Sequence, residues 1–138
     1  MFKILEEGKF ADVDWDEMKP FYECMAEDVG KQKKRIGGNF AVAQAIARRS
    51  IRDHVRTILP DCIFVVLSLS EETQLKRIKA RHGGDSAPEA AIKFLKDMYT
   101  FYEGPGTDEP NTIGIEITED LTPQDVKNKV LEALEKHK

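Results

Sequence analysis

The apolar residues of this 138-residue chain recur in two spacings, and each spacing predicts a different secondary structure. Where they return every three or four positions, as between Met18 and Val29, they form one stripe along a helix. Pro60 ends one such pattern, whereas Ser70 and the pair Thr122-Pro123 are typical of helix starts. The predicted helices cover residues 16–33, 46–59, 70–81, 88–103 and a last segment that begins at residue 122.

Short uninterrupted apolar runs predict strands that are buried on both faces, as in the middle of a parallel sheet. Two runs fit this description, at residues 39–43 and 63–67, and the second is the clearer; residues 112–117 are predicted as a third strand. Helices and strands alternate along the chain, and right-handed crossovers turn such an order into a parallel sheet covered by helices. The sequence predicts one α/β domain over residues 1–138, a three-layer α/β/α arrangement with about three strands and five helices.

The charge balance argues against two classes of partner. With 21 basic and 25 acidic residues the net charge is −4, which leaves no overall positive field for nucleic acid or an anionic membrane. No apolar run approaches the ~20 residues that span a bilayer, and the acidic start of the chain is unlike a signal peptide. We therefore expect a cytoplasmic protein that binds neither nucleic acid nor membrane.

The residues that most often bind metals do not form a convincing set. Cys24 and Cys62 each lie alone in an apolar stretch, which predicts free, buried thiols rather than a zinc site or a disulfide. Residues 12–16 gather three carboxylates beside the only tryptophan and could bind a metal or a sugar, although acidic residues are expected at a helix start. His54, His82 and His137 have no partners at ligand spacing, so no metal site is predicted.

A row of arginines follows the first predicted strand. Arg48, Arg52 and Arg56 recur every four residues on one helix face, and Arg49 lies beside them. One interpretation is a solvated helix edge whose aliphatic stems cover the core. The other is a site for an anion or a polyol at the carboxyl end of a parallel strand, where open α/β sheets bind ligands. The position after a strand favours the second interpretation.

A second basic group precedes the Gly83-Gly84 break. Arg77 and Arg81 lie on one helix face, and the glycine-flanked segment that follows, about 82–90, could close over a phosphate chain like a lid. An ordinary charged helix explains the same pattern. The basic run at residues 31–35 reads more simply as a solvated helix end than as a nucleic-acid patch.

Four local strings, in order, resemble the gluconate kinases, small members of the P-loop kinase superfamily related to shikimate and adenylate kinases. They cover residues 5–21, Ala45-Ile46-Ala47-Arg48-Arg49 with Arg52-Asp53, Arg77-Ile78-Lys79-Ala80-Arg81-His82-Gly83, and Glu103-Gly104-Pro105-Gly106-Thr107-Asp108-Glu109. By position the resemblance implies that Arg48 and Arg52 hold a sugar acid and that Arg77 and Arg81 contact nucleotide phosphates. It also implies that the loop containing Pro105 lies next to the adenine site.

The chain departs from that family at the part that performs phosphoryl transfer. No Gly-x-x-x-x-Gly-Lys-Ser/Thr string occurs in the sequence, so the phosphate-binding amides, the lysine and the hydroxyl that holds magnesium have no counterpart. No catalytic residue is therefore predicted, and ATP and Mg²⁺ are expected as cofactors only if such a loop is supplied. By comparison with the family, the chain begins after the point where the first two strands stand.

Three functional hypotheses remain open. The first is a degenerate or truncated kinase-like protein that keeps surfaces for a small anionic ligand but has little or no kinase activity. The second is a non-enzymatic interaction module on the same scaffold, and the third is a fragment of an active carbohydrate kinase. In the family the phosphate-loop strand lies between the strands matching 39–43 and 63–67, so we expect a second copy to close the gap and form a homodimer.

Overall fold

The computed structural model of the protein describes residues 14–84 and 88–137, and over these it is a mixed α/β fold. A short 3₁₀ helix, Trp15–Met18, leads into the first of five α-helices. The helices are α1 Lys19–Ile36, α2 Arg49–Ile58, α3 Glu71–Arg81, α4 Glu89–Phe101 and α5 Pro123–His137. The strands are β1 Phe64–Ser68, between α2 and α3, and β2 Thr112–Glu116, between α4 and α5.

Local capping signals place the helix ends. Helix α1 ends at Gly37, which adopts a left-handed φ of 71° and donates its N–H to the Lys33 carbonyl at 3.0 Å. At the start of α3 the Ser70 hydroxyl accepts from the Thr73 N–H at 3.1 Å, as expected of the predicted cap. Thr122 caps α5 in the same way, since its hydroxyl accepts from the N–H of Asp125, whose carboxylate accepts from the Thr122 N–H.

The sheet has two parallel strands in the part of the chain that the structure describes, not the three that the sequence predicts. Phe64 is paired with Thr112 and the register continues to Ser68 and Glu116. The third expected strand, residues 39–43, has no strand partner among the described residues and is exposed throughout. Its apolar run correctly marked residues that favour burial, but a strand also needs the backbone hydrogen bonds of a neighbour.

The core lies between α1, α2 and the start of β1. Tyr22 and Ala26 of α1 pack with Ile51 and Val55 of α2, and Phe64 closes the end of this cluster. Of the stripe predicted between Met18 and Val29, Tyr22 is buried, whereas Phe21 is 41% exposed, so the stripe is confirmed only in part.

The helices on the β2 side are less buried than their patterns suggest. Neither α4 nor α5 contains a fully buried residue; Phe94 is exposed, and the expected α5 contacts Val126, Val130 and Leu134 are half-buried. Cys24 is exposed instead of buried, and both cysteines are free thiols. Among the described residues no helix combines the length and apolar character that crossing a membrane requires.

Candidate functional site

The arginine row of α2 faces the loop of residues 102–111 that precedes β2. At its centre Arg52 is buried, with only 1% of its surface exposed, although the sequence places it beside the apolar stripe at a cleft. Buried guanidinium groups require both a counter-charge and full hydrogen bonding, because desolvation of an isolated charge is very costly. The structure supplies both from residues distant in the sequence.

Glu109 is the counter-charge, and its side chain is fully buried against Arg52. Arg52 Nε donates to Glu109 Oε1 at 2.6 Å and Nη2 donates to Oε2 at 3.1 Å, which is the two-pronged geometry that joins a guanidinium to a carboxylate. The carbonyl of Ile46 accepts from Arg52 Nη1 and that of Gly104 accepts from Nη2, each at 3.3 Å. Each nitrogen of this guanidinium therefore has an acceptor within the chain.

Arg56, one helical turn further along, shares the same carboxylate. Its Nη2 donates to Glu109 Oε1 at 2.7 Å and to the Thr112 hydroxyl, and its Nη1 donates to Asp53 at 2.7 Å. The guanidinium carbon also lies 4.6 Å from the centre of the Phe64 ring, within the range of a cation–π contact. Arg56 thus connects α2 to the first residues of both strands.

The outer arginines of the row form more exposed pairs. Arg48 Nε lies 2.9 Å from a Glu103 carboxylate oxygen, and its Nη1 donates to the Phe101 carbonyl at 3.4 Å. Arg49 Nη1 donates to Asp108 at 2.7 Å, a contact in which the carboxylate is largely in water. The whole row is therefore matched by acids, with the degree of burial rising toward Arg52.

The pKa of Glu109 reflects this arrangement. Hydrogen bonds from Arg52 favour its charged form most, with further bonds from Arg56 and the Gly106 N–H, and together they overcome desolvation and lower its pKa to about 2. The hydrogen bond from Arg49 likewise lowers the pKa of Asp108 below its usual range. Glu109 is consequently a fixed negative charge at neutral pH.

The second arginine pair lies in a different setting. Arg77 and Arg81 are exposed on the last turns of α3, and within residues 14–84 and 88–137 neither has an ion-pair partner. Gly83 and Gly84 follow with left-handed φ angles of 91° and 79°, conformations that glycine adopts readily. Residues 85–87 of the expected lid lie outside the described residues.

Pro105 is half-buried in the loop that Glu109 clamps. Its Cγ lies 3.1 Å from the position that a Cβ on Gly114 would occupy, so Pro105 packs directly onto β2. This contact places Pro105 with Arg52 and Glu109 on the β2 side of the fold. Pro105 thus lies in the loop before β2, whereas Arg77 and Arg81 lie on the last turns of α3.

The other sequence candidates have unremarkable positions. Lys33, Lys34 and Arg35 are exposed in the last turn of α1, where the helix dipole favours positive charge. His54 lies 3.6 Å from a Glu23 carboxylate oxygen and so connects α2 to α1. Residues 12 and 13 of the acidic segment lie outside the described residues, and the described part holds no cluster of metal-ligand side chains.

Sequence reasoning missed the acids that complete the arginine row. In the sequence, Glu103, Asp108 and Glu109 belong to a loop that resembles a kinase adenine loop, and nothing there relates them to the arginines. They lie more than fifty positions from their arginines, so no local spacing relates the two groups. The one usable signal was a surplus of carboxylates in a loop before a strand.

Known proteins give no independent guide to this site. Comparisons with models of protein families, with curated proteins and with solved structures found no match. Its interpretation therefore depends on the geometry of the chain itself.

Proposed function

We propose that this chain is a kinase-like α/β protein of the gluconate and shikimate kinase lineage that binds a small anion without transferring a phosphoryl group. The observation that carries the proposal is the occupation of Arg52 by the chain's own Glu109. In the kinases that the chain resembles, the matching arginine holds the carboxylate of a sugar acid. Here a substrate carboxylate would have to displace a buried one that is already optimally bonded.

The sequence supports the same conclusion independently. Alignment of a γ-phosphate needs a nest of backbone N–H groups, a lysine and a metal-binding hydroxyl, and the printed sequence contains no string of that kind. The arginines of the chain can neutralise charge but cannot supply this alignment. Assignment of Arg48 and Arg52 to an acceptor stays a prediction that requires Glu109 to move.

Arg77 and Arg81 are the better candidates for anion binding. Both are exposed, they occupy one face of α3, and neither is paired with an acid among the described residues. Guanidinium pairs bind phosphate and sulfate through charge-assisted hydrogen bonds, and exposure to water keeps that affinity low and sensitive to salt. The ligand class we propose is a phosphate-bearing small molecule.

A turnover assay tests the absence of catalysis. Purified protein with ATP, magnesium and gluconate should release ADP at the background rate. A sugar acid is the relevant acceptor because the resemblance assigns one to the Arg48 and Arg52 positions. ADP production that stays proportional to protein through further purification would contradict the proposal.

A titration with pyrophosphate tests the binding surface separately. Arg77→Ala combined with Arg81→Ala should abolish a weak calorimetric or NMR-detected interaction that falls with added salt. Lys33→Ala combined with Lys34→Ala is the matched control, because it removes the same charge from another exposed helix end. Equal loss in both double variants would indicate a general charge effect, and no loss in either would exclude the Arg77 and Arg81 site.

A second candidate function is a protein-interaction module, and one feature favours it. An open groove of about 470 Å³ runs beside α1 and is mainly apolar, with Phe21, Met25, Phe40 and Val42 among its lining residues. Phe21, Phe40 and Val42 are exposed, and contiguous apolar surface of this kind commonly marks a contact with another macromolecule. A binding partner that protects these residues, with the anion titration unchanged by Arg77→Ala and Arg81→Ala, would favour the module over the anion-binding protein.

A further inference from the structure

The two edges of β1 differ in their hydrogen bonding. Phe64 donates its N–H to the Asn111 carbonyl at 2.9 Å, and the Ser68 carbonyl accepts from the Ile117 N–H at 2.8 Å, so these residues direct their backbone toward β2. Along a parallel strand the bonding direction alternates with each residue. The N–H and C=O groups of Val65 and Leu67 therefore point away from β2, to the opposite edge.

Within residues 14–84 and 88–137 that opposite edge is open, because the sheet contains only β1 and β2 and β1 pairs with β2 alone. Ile63 and Leu67 are 43% and 46% exposed. A strand with apolar residues on both faces and a free edge is a ready template for another strand.

The same chain contains a strand-like segment that also lacks a strand partner among the described residues. Residues 39–43 form an apolar run without a strand partner among the described residues, and Phe40 and Val42 are 40% and 51% exposed. The chain just beyond this run is anchored, because the Tyr22 hydroxyl donates to the Ala45 carbonyl at 2.9 Å and the Glu103 N–H donates to the Ala47 carbonyl at 2.8 Å. The run is thus held at the surface and not against β1 of its own chain.

We infer that residues 39–43 of one copy pair with the open edge of β1 in a second copy. Each copy offers one donor segment, defined as residues 39–43, and one acceptor edge, defined as the Val65 and Leu67 side of β1. A twofold axis lets two copies exchange these elements reciprocally, so that a closed dimer satisfies both. The contact is strand addition, in which backbone hydrogen bonds give affinity and alternate side chains give specificity.

The shared lack of charged side chains favours a second copy over a charged foreign strand. Residues 62–70 around the acceptor edge contain no charged side chain, and neither do residues 37–47 around the donor segment. Neither surface would leave a charge without a partner when the two are brought together. A charged peptide would find no counter-ion along the acceptor edge itself, whereas the donor segment matches it in length and polarity.

Two solution measurements on the full chain test the pairing. Light scattering should give twice the chain mass of 15.7 kDa at micromolar concentration. Hydrogen exchange should show that the Val65 and Leu67 amides become protected as concentration rises, while the amides of β2 are protected throughout. A monomer at every concentration, with Val65 and Leu67 always exchanging freely, would overturn the inference.

Single substitutions then separate donor from acceptor. Val42→Asp and Leu67→Asp each place a charge in the proposed contact at a side chain that is exposed in the single chain, so each variant should fold. Each should weaken self-association on the order of 100-fold, because an unpaired charge would be desolvated in the strand pair. Leu131→Asp is the control, since it adds the same charge at an exposed apolar residue of α5 and should leave the dimer intact.

Mixing the two variants gives the decisive result. Val42→Asp retains an intact acceptor edge and Leu67→Asp retains an intact donor segment, so together they should form a heterodimer through one unaltered contact. Direct pairing of two β1 edges predicts the opposite pattern, in which Val42→Asp remains a dimer on its own. A dimeric Val42→Asp variant, or a mixture without heterodimer, therefore overturns the proposed exchange.

Discussion

Two regions of the molecule differ in how their polar groups are bonded: the cluster of Arg52, Arg56 and Glu109, here called the Glu109 cluster, and the open edge of β1. In the cluster, guanidinium groups of α2 pair with a carboxylate more than fifty residues away, and both oxygens of that carboxylate accept hydrogen bonds. At the edge, two residues of a strand leave their backbone groups without a partner in the described chain. The arginines of α2 are therefore used within the fold, whereas the apolar strand β1 keeps backbone hydrogen-bonding groups that no described residue uses.

The largest expected effect comes from removal of the shared carboxylate. Glu109→Ala leaves the buried Arg52 without its counter-charge and removes one of the two acids paired with Arg56, so it should lower the free energy of unfolding by about 3–5 kcal/mol. Urea unfolding measures the change. Glu132→Ala, which removes an exposed acid paired with Lys136, is the control and should cost at most about 1 kcal/mol. Similar losses in both variants would show that the buried cluster contributes no more than a surface pair.

Acid should remove the contribution of Glu109 to the free energy of unfolding between about pH 4.5 and pH 2. The folded-state pKa of Glu109, about 2, is below its ordinary value of 4.5, so its contribution to stability is complete above pH 4.5 and is lost as pH falls toward 2. Protonated Glu109 resembles the uncharged amide of a Glu109→Gln variant. The difference in unfolding free energy between wild type and Glu109→Gln should therefore shrink across this window, and a constant difference would contradict the assignment.

A smaller effect is expected where the donor segment joins the core. Tyr22→Phe removes the hydroxyl that donates to the Ala45 carbonyl and should lower stability by about 0.5–1.5 kcal/mol. Tyr99→Phe, at an exposed tyrosine of α4, is the control and should leave stability unchanged. If the two variants unfold at the same urea concentration, the bond does not anchor residues 39–43.

The smallest effect should come from the rim of the arginine row. Asp108→Ala removes one of the two acids paired with Arg49, but this carboxylate is 75% exposed and such pairs contribute about 0.2–1 kcal/mol. The loss should disappear in high salt, which screens an exposed pair but not the buried one. A salt-independent loss as large as that of Glu109→Ala would remove the distinction between rim and centre.

The sequence predicts where helices and strands lie better than it predicts which strands pair with each other. Helix starts at Ser70 and Thr122 were predicted correctly because a cap is a local arrangement of a side chain and the next few N–H groups. The runs that became β1 and β2 were also recognised, within one residue of their observed bounds. The run at 39–43 looked equally convincing and failed, because its pairing depends on a partner that the local pattern does not contain.

The same limit explains the site. Helical spacing correctly placed Arg48, Arg52 and Arg56 on one face, but it could not distinguish an open cleft from a face already closed by acids. Glu109 decides between these two cases. It contacts α2 in the fold, although β1, α3 and α4 separate it from α2 along the chain. Residue type indicates what a side chain can bind, and long-range topology decides whether it is already bound.

The Arg52–Glu109 pair also has a consequence for the order of folding. It joins residues 57 apart and closes a loop that contains β1, α3 and α4, whereas α1 and α2 are close neighbours along the chain. Closing a long loop costs entropy before its contacts form, so the helical hairpin of α1 and α2 can assemble first and the pair forms late. Contacts that form after the transition state slow unfolding and have little effect on the folding rate. We therefore expect this buried pair to lower the unfolding rate.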